Sequence, residues 1–305
     1  MLLDKQDEWL LRLLGLVRPR LTNLHVSIWD NRSDKLKRAP SVLFIHGSGN
    51  TFGEQSFEKQ KPLAQQYRLL LVDRRGFGES PIATGERGDF ANDAIDIIEL
   101  LEENSQEGVH VVGHSYGAIG SMIAAAERPE MVRSLTVIEP PMFNLATIKR
   151  EFVVELIEEM ELNFSRALSP KTKMLPIEYW TEFTKICGFE PPPIEFFRKM
   201  SEKEIKGIRT SMTERPPWEA CVPFEKLANS QFAKLVVSGG WKKAPPEARE
   251  RIGTAYILVC ETLQSILHAE WAIFEDADHW PQQLGESFNK RLIEFLSPKE
   301  THMTA

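Results

Sequence analysis

The pentapeptide Gly113-His114-Ser115-Tyr116-Gly117 constrains the fold of this chain more than any other segment. An apolar run, Val109 to Val112, leads directly into it. A small-residue helical pattern, Tyr116 to Arg128, leads directly out and stops ahead of Pro129. A residue at so sharp a strand-to-helix turn is held in a strained backbone conformation, with its side chain pushed up from the sheet edge. Glycines flank it because a Cβ there would clash with the neighbouring strand and helix. Without that context the Ser would read as a simple helix cap, and the glycines as a turn. Within it, Ser115 is a candidate nucleophile at a helix N-terminus, where backbone N–H groups and the helix dipole stabilise developing negative charge.

The segments around this turn predict a parallel sheet with crossover helices. Leu24 to Trp29, Ser41 to His46, Arg68 to Asp73 and Ser134 to Ile138 read as strands. Ser41 to His46 (SVLFIH) is near-continuously apolar, as a strand buried on both faces should be. Between them, Asp89 to Glu103 repeats Ala94, Ile97, Ile98 and Leu101 at helical spacing. Past Met142 the texture changes to helical patterns rich in Glu, Lys and aromatics, broken by Pro191 to Pro193 and Pro216-Pro217, with no convincing strand. The strand pattern resumes with Ala233 to Ser238, followed by a long helix after Pro246, a short strand Trp271 to Phe274, and a closing helix from about Gly285 to Leu296. This division predicts an α/β core made of residues 1–142 and 231–305, with residues 143–230 inserted as a helical cap.

The chain has 305 residues and a net charge of −7, which argues against general affinity for nucleic acid or anionic membrane. Asp4, Asp7 and Glu8 stand where a signal peptide needs a basic region and an unbroken apolar one. No apolar run approaches the ~18 residues that span a bilayer, so a cytoplasmic protein is expected. Leu10, Leu11, Leu13, Leu14 and Val17 predict an amphipathic helix packed on the domain. The widely spaced Cys187, Cys221 and Cys260 form no disulfide framework and no zinc site, and read as buried small hydrophobes. No Gly-rich phosphate loop, HExxH or Cys/His cluster appears, so no metal or organic cofactor is expected. The expected partner is a small-molecule substrate; a homo-oligomer is left open.

Over nearly its whole length the chain resembles proteins of the α/β-hydrolase fold. The matching pieces are His46-Gly47-Ser48-Gly49 after an early strand, Asp73-Arg74-Arg75-Gly76-Phe77-Gly78-Glu79-Ser80 after the next, and the Ser115 elbow. An insertion after the following strand and a late Asp278-His279-Trp280-Pro281 complete the set. The resemblance implies a mostly parallel, doubly wound sheet with the insertion as a cap over the active site. It implies an oxyanion hole from the backbone N–H of Tyr116 and a donor in the early loop, Ser48, with Gly49 the alternative. Of seven histidines, His279 is the expected base, because in this fold the base arrives on the last loop.

The acid departs from the commoner pattern. Most such proteins carry an Asp after the strand that follows the cap, but here that stretch reads Ser238-Gly239-Gly240-Trp241-Lys242-Lys243-Ala244. One strand earlier, Glu139 ends Leu135 to Ile138, at the carboxyl end of the sheet where catalytic groups gather. Glu139 is therefore the expected acid, ahead of Asp276 and Asp278, which lie too close to His279 in sequence to reach its ring without a contorted loop.

Together these residues predict a serine hydrolase acting on a small to medium, largely apolar ester or lactone through an acyl-enzyme. The alternatives are C–C bond hydrolysis, another cofactor-free reaction of this fold, or a ligand receptor that retains the triad. Trp180, Phe183, Phe196, Phe197 and Trp218 are candidate pocket residues, although aromatics at helical spacing are more often cap core. Arg74 and Arg75 read as structural salt-bridge residues rather than anion ligands.

Overall fold

The computed structural model describes residues 24–33, 40–82, 86–104, 108–148 and 150–297. The expected helix at Leu10 to Val17 lies outside them. Among the described residues seven strands form one sheet: β1 (Val26–Trp29), β2 (Ser41–Ile45), β3 (Arg68–Val72), β4 (Val109–His114), β5 (Val132–Ile138), β6 (Ala233–Gly239) and β7 (Glu270–Phe274). Their order is β1-β3-β2-β4-β5-β6-β7. Only the β1–β3 pair is antiparallel.

The apolar runs exist because both faces of this sheet are covered. Leu43, Ile45, Val111 and Val137 pack to one side, against α1 (Phe90–Asn104), α2 (Tyr116–Glu127) and α8 (Thr254–Leu267). Val42, Phe44, Leu71 and Val237 pack to the other, against Phe57, Leu63 and α9 (Glu286–Leu296). After β2 the chain first fills one side of the sheet with β3, then crosses to the other with β4. The carboxyl ends of β2 and β4 therefore flank the switch point, where open α/β sheets bind their ligands.

Residues 143–230 contain no strand among the described residues, as expected. They form α3 (Glu151–Leu168), α4 (Pro176–Ile186), α5 (Ile194–Arg198), α6 (Glu202–Ser211) and α7 (Phe224–Asn229), joined by shorter turns. Ser201 and Glu204 close a capping box at the start of α6 by exchanging side-chain bonds to each other's backbone N–H. The far end of α6 docks on the loops at the carboxyl ends of the strands. Lys206 Nζ donates to the Gly78 and Ser80 carbonyls, Thr210 Oγ1 donates to Gly76 O, and Ser211 Oγ accepts from the Gly49 N–H.

Cys187 and Cys260 are buried, but Cys221 is exposed, which corrects the expectation that all three are core residues. Cys221 lies between two proline-containing turns rather than on an amphipathic element, so periodicity carried no information about it. Among the described residues no helix is long and apolar enough to cross a membrane.

His110 is buried within β4, with Nδ1 2.7 Å from Ser134 Oγ. Burial, with a smaller contribution from the Arg133 charge, lowers its pKa to about 4, well below that of a free imidazole. The unfolded chain therefore binds a proton that the folded chain refuses. The stability this histidine confers is complete above pH 6.5 and is lost as pH falls toward 4. Between pH 7 and pH 5 the loss from this residue is on the order of 2 kcal/mol. Urea unfolding of His110→Asn should show a correspondingly shallower decline over that interval; a decline parallel to the wild type contradicts this reading.

Candidate active site

Ser115 follows directly on β4, with φ 53° and ψ −127°, a strained backbone for any residue with a Cβ. The strain is held in place from three directions. The Ser115 N–H donates to Ile138 O at the end of β5 (2.8 Å), and α2 begins at the next residue. A Cβ at Gly117 would sit 2.2 Å from the His46 carbonyl oxygen, so only glycine lets α2 approach the loop after β2 this closely.

Glu139 follows directly on β5, and His279 lies in the loop after β7. His279 Nε2 is 3.0 Å from Ser115 Oγ, and Nδ1 is 2.8 Å from Glu139 Oε2. A carboxylate accepts only, so Nδ1 carries the proton and Nε2 is left as an acceptor for the Ser115 hydroxyl. Glu139 is fully buried, and its other oxygen accepts the Gly239 N–H (2.7 Å) and the Trp241 indole N–H (3.0 Å). Burial holds the carboxyl above its ordinary range, against the opposing hydrogen bonds from His279, Trp241 and Gly239.

The two competing carboxylates point elsewhere. Asp276 pairs with Lys243, and Asp278 accepts the Trp280 N–H. The glycine-rich stretch that lacks the commoner Asp instead supplies two donors to Glu139.

The His279 ring is further held by Tyr256, stacked against it at 4.4 Å with its hydroxyl 3.5 Å from Nε2. His114 donates from Nε2 to the His279 carbonyl (2.8 Å). Sequence alone did not single out Tyr256 or Trp241. The Gly239-Gly240 pair was a signal for Trp241, since a tight turn after β6 throws the next side chain back toward the sheet. Tyr256 is placed by a π-helical turn, Arg249–Gly253, ahead of α8, which no apolar period reveals.

The loop after β2 lies against Ser115: a Cβ at Gly47 would be 2.6 Å from Ser115 Cβ and 3.1 Å from its Oγ. The Gly49 N–H is spent on Ser211 Oγ at 2.7 Å, whereas the Ser48 N–H donates to no described group. The Tyr116 N–H is at the first position of α2 and has no partner within its own helix. Arg74 and Arg75 are salt-bridged, as expected: Arg75 to Asp96 and Glu86, Arg74 to Asp93 and Glu214.

Ser48, Ser115, Tyr116 and His279 open onto a cavity of about 240 Å³ whose other walls are largely aromatic. Of the aromatics named from sequence, Trp180, Phe183 and Trp218 line it. Phe197 instead packs with Tyr179, Ile208 and Met212 inside the inserted segment, and Phe196 is exposed.

Comparison with known proteins agrees with this architecture. Residues 40–184 match the family described as alpha/beta hydrolase fold. MenH from S. aureus superposes with a TM-score of 0.65 at 13% identity, covering 89% of this chain and 97% of that one. In sequence, the chain is 36% identical over 129 residues to the probable lysophospholipase BODYGUARD 4 of Arabidopsis thaliana, covering 40% of this chain and 30% of that protein. It is 27% identical over 268 residues to the dihydrolipoyllysine-residue acetyltransferase component of the acetoin cleaving system of Cupriavidus necator, covering 85% of this chain. The chain thus spans 30% and 64% of the lengths of these two curated relatives. The chain has the α/β-hydrolase fold.

Gly239 both donates to Glu139 and is crossed closely by the His279 loop, since a Cβ there would lie 2.1 Å from Asp278 O. Gly239→Ala should therefore lower the urea midpoint, by about 1–3 kcal/mol in stability. An unchanged midpoint would mean that this approach is looser than described.

Proposed function

We propose that the protein is a serine hydrolase that cleaves a small to medium, largely apolar carboxylic ester or lactone through an acyl-enzyme on Ser115. The observation that carries this reading is His279, with Nε2 3.0 Å from Ser115 Oγ and Nδ1 2.8 Å from the buried Glu139. A nucleophile, a base and a group that orients the base are thereby within hydrogen-bond reach in series.

In this reading Ser115 Oγ attacks the substrate carbonyl carbon while its proton passes to His279 Nε2. The carbonyl π pair moves onto oxygen, and the oxyanion is held by the N–H groups of Ser48 and Tyr116. The tetrahedral intermediate collapses, the C–O bond to the leaving alcohol breaks, and His279 returns the proton to that oxygen. Water then repeats the sequence on the acyl-enzyme, releasing the acid and regenerating Ser115. Glu139 stays an acceptor throughout, fixing the tautomer and stabilising the transient imidazolium. Residues 143–230 serve as the cap, and the aromatic walls they contribute favour an apolar acyl or alcohol group.

Steady-state hydrolysis of a p-nitrophenyl ester panel tests this. Ser115→Ala should lower kcat about 10⁶-fold. Glu139→Gln should lower it about 10⁴-fold, and Asp278→Asn should leave it within about threefold. Ester turnover that survives Ser115→Ala in folded protein would refute the assignment. A large loss in Asp278→Asn with none in Glu139→Gln would move the acid.

A further inference from the structure

We propose that Arg74 is a positioning residue for the oxyanion hole, orienting and polarising the Gly47–Ser48 peptide through its carbonyl, with Glu214 of the cap segment holding it in place. This rests on the reading above, in which the Ser48 N–H is one of the two oxyanion donors.

The Gly47 carbonyl and the Ser48 N–H belong to one planar trans peptide, so fixing the oxygen on one side fixes the N–H direction on the other. Two donors fix that oxygen. Arg74 Nη1 lies 2.9 Å from it and His46 Nδ1 2.7 Å. His46 Nε2 accepts the Arg74 backbone N–H at 3.0 Å, which leaves the proton on Nδ1 and makes His46 a neutral donor. A cationic donor at the carbonyl draws electron density through the amide and strengthens the opposite N–H as a donor.

The guanidinium is itself clamped. Nε bonds Asp93 Oδ2 (2.8 Å), Nη2 bonds Glu214 Oε1 (2.7 Å), and the Phe77 and Tyr116 rings lie against it at 4.8 and 4.6 Å. All three charged groups are buried. Buried ion pairs contribute little stability relative to apolar packing, so stapling alone is a weak reason for such a cluster beside the nucleophile. Ion-paired to two carboxylates, the guanidinium carries no net positive field, and Arg74 acts as a directed donor.

Glu214 lies three residues beyond α6, whose Ser211 Oγ engages the Gly49 N–H. Next to it, the Arg215 carbonyl accepts the Tyr116 hydroxyl at 2.9 Å. One short stretch of the cap segment thus touches both donor-bearing residues' surroundings, and Glu214 is the member that reaches Arg74.

The test compares wild type, Arg74→Met, and the triple variant Arg74→Met/Asp93→Asn/Glu214→Gln, which leaves no buried carboxylate without its cation. Each is titrated with an alkyl trifluoromethyl ketone and with the matching methyl ketone, alongside kcat and KM for a p-nitrophenyl ester. On the trifluoromethyl ketone, Ser115 Oγ bonds to the carbonyl carbon, the π pair moves onto oxygen, and the hydroxyl proton passes to His279. That adduct needs the oxyanion hole, whereas the methyl ketone occupies the cavity without reacting.

In the folded variants, kcat and trifluoromethyl ketone affinity should fall together by about 10- to 100-fold, less than outright loss of a donor. KM and methyl ketone affinity should stay within about twofold, because ground-state binding does not use the oxyanion donors. Variants with kcat and trifluoromethyl ketone affinity within about threefold of wild type, or with equal losses for both ketones, overturn the inference. A wild-type protein that neither turns over the ester nor forms the adduct overturns the proposed function instead, and this inference with it.

Discussion

The buried hydrogen bond between Glu139 and His279 is the constraint around which the carboxyl ends of the central strands are arranged. A carboxylate removed from water costs several kcal/mol unless donors replace the lost solvent. Here the donors come from three places in the chain: the loop after β7, the end of β6 and the Trp241 indole. Satisfying one carboxylate thus fixes the relative positions of β5, β6 and the final loop. The left-handed backbones at Glu139 (φ 41°) and Trp241 (φ 57°) are local costs of that convergence. Neighbouring bonds over-determine both, including the Glu139 N–H to Val237 O and the Trp241 N–H to Ala277 O.

The remaining element of the site is orientation of the His279 ring. Trp241 stacks on Tyr256, and Tyr256 stacks on His279, so the imidazole sits at the end of an aromatic series rooted in α8. His114, immediately before Ser115, binds the backbone of His279 itself. β4 and the loop after β7 are therefore tied directly, and not only through the Ser115–His279 bond. Opposite them, the segment from Thr210 to Arg215 ties the inserted helices to the loops after β2 and β3. The cavity is lined from both sets of contacts, by Ser115, Tyr256 and His279 on one hand and Ser211 and Glu214 on the other.

Much of this was legible in the sequence where one physical requirement acts on a short segment. Strands buried on both faces must be apolar throughout, which is why Ser41 to Ile45 and Arg68 to Val72 were readable. The elbow was readable because its glycines answer to backbone approaches, and Glu139 because it ends a strand at the carboxyl edge of the sheet while the stretch after β6 carries no carboxylate. The arrangements that escaped depend on distant partners. Glu214 and Ser211 sit in an ordinary polar stretch, and only the docking of α6 brings them to Arg74 and Gly49. Tyr256 looked like any helical aromatic. Phe196 and Phe197 shared a pattern with Trp180 and Phe183, yet only the latter two reach the cavity, because helical spacing cannot say which neighbour a face meets.

Covalent labelling with a fluorophosphonate, followed by peptide mass mapping, tests most directly whether this geometry makes Ser115 a nucleophile. The Ser115 Oγ–P bond forms as the P–F bond breaks, with the hydroxyl proton taken by His279 and fluoride leaving. The account predicts a single phosphonyl adduct on the peptide carrying Ser115, formed rapidly in the wild type and abolished in folded His279→Ala. An adduct on a different residue, or Ser115 labelling at an undiminished rate without His279, would contradict it.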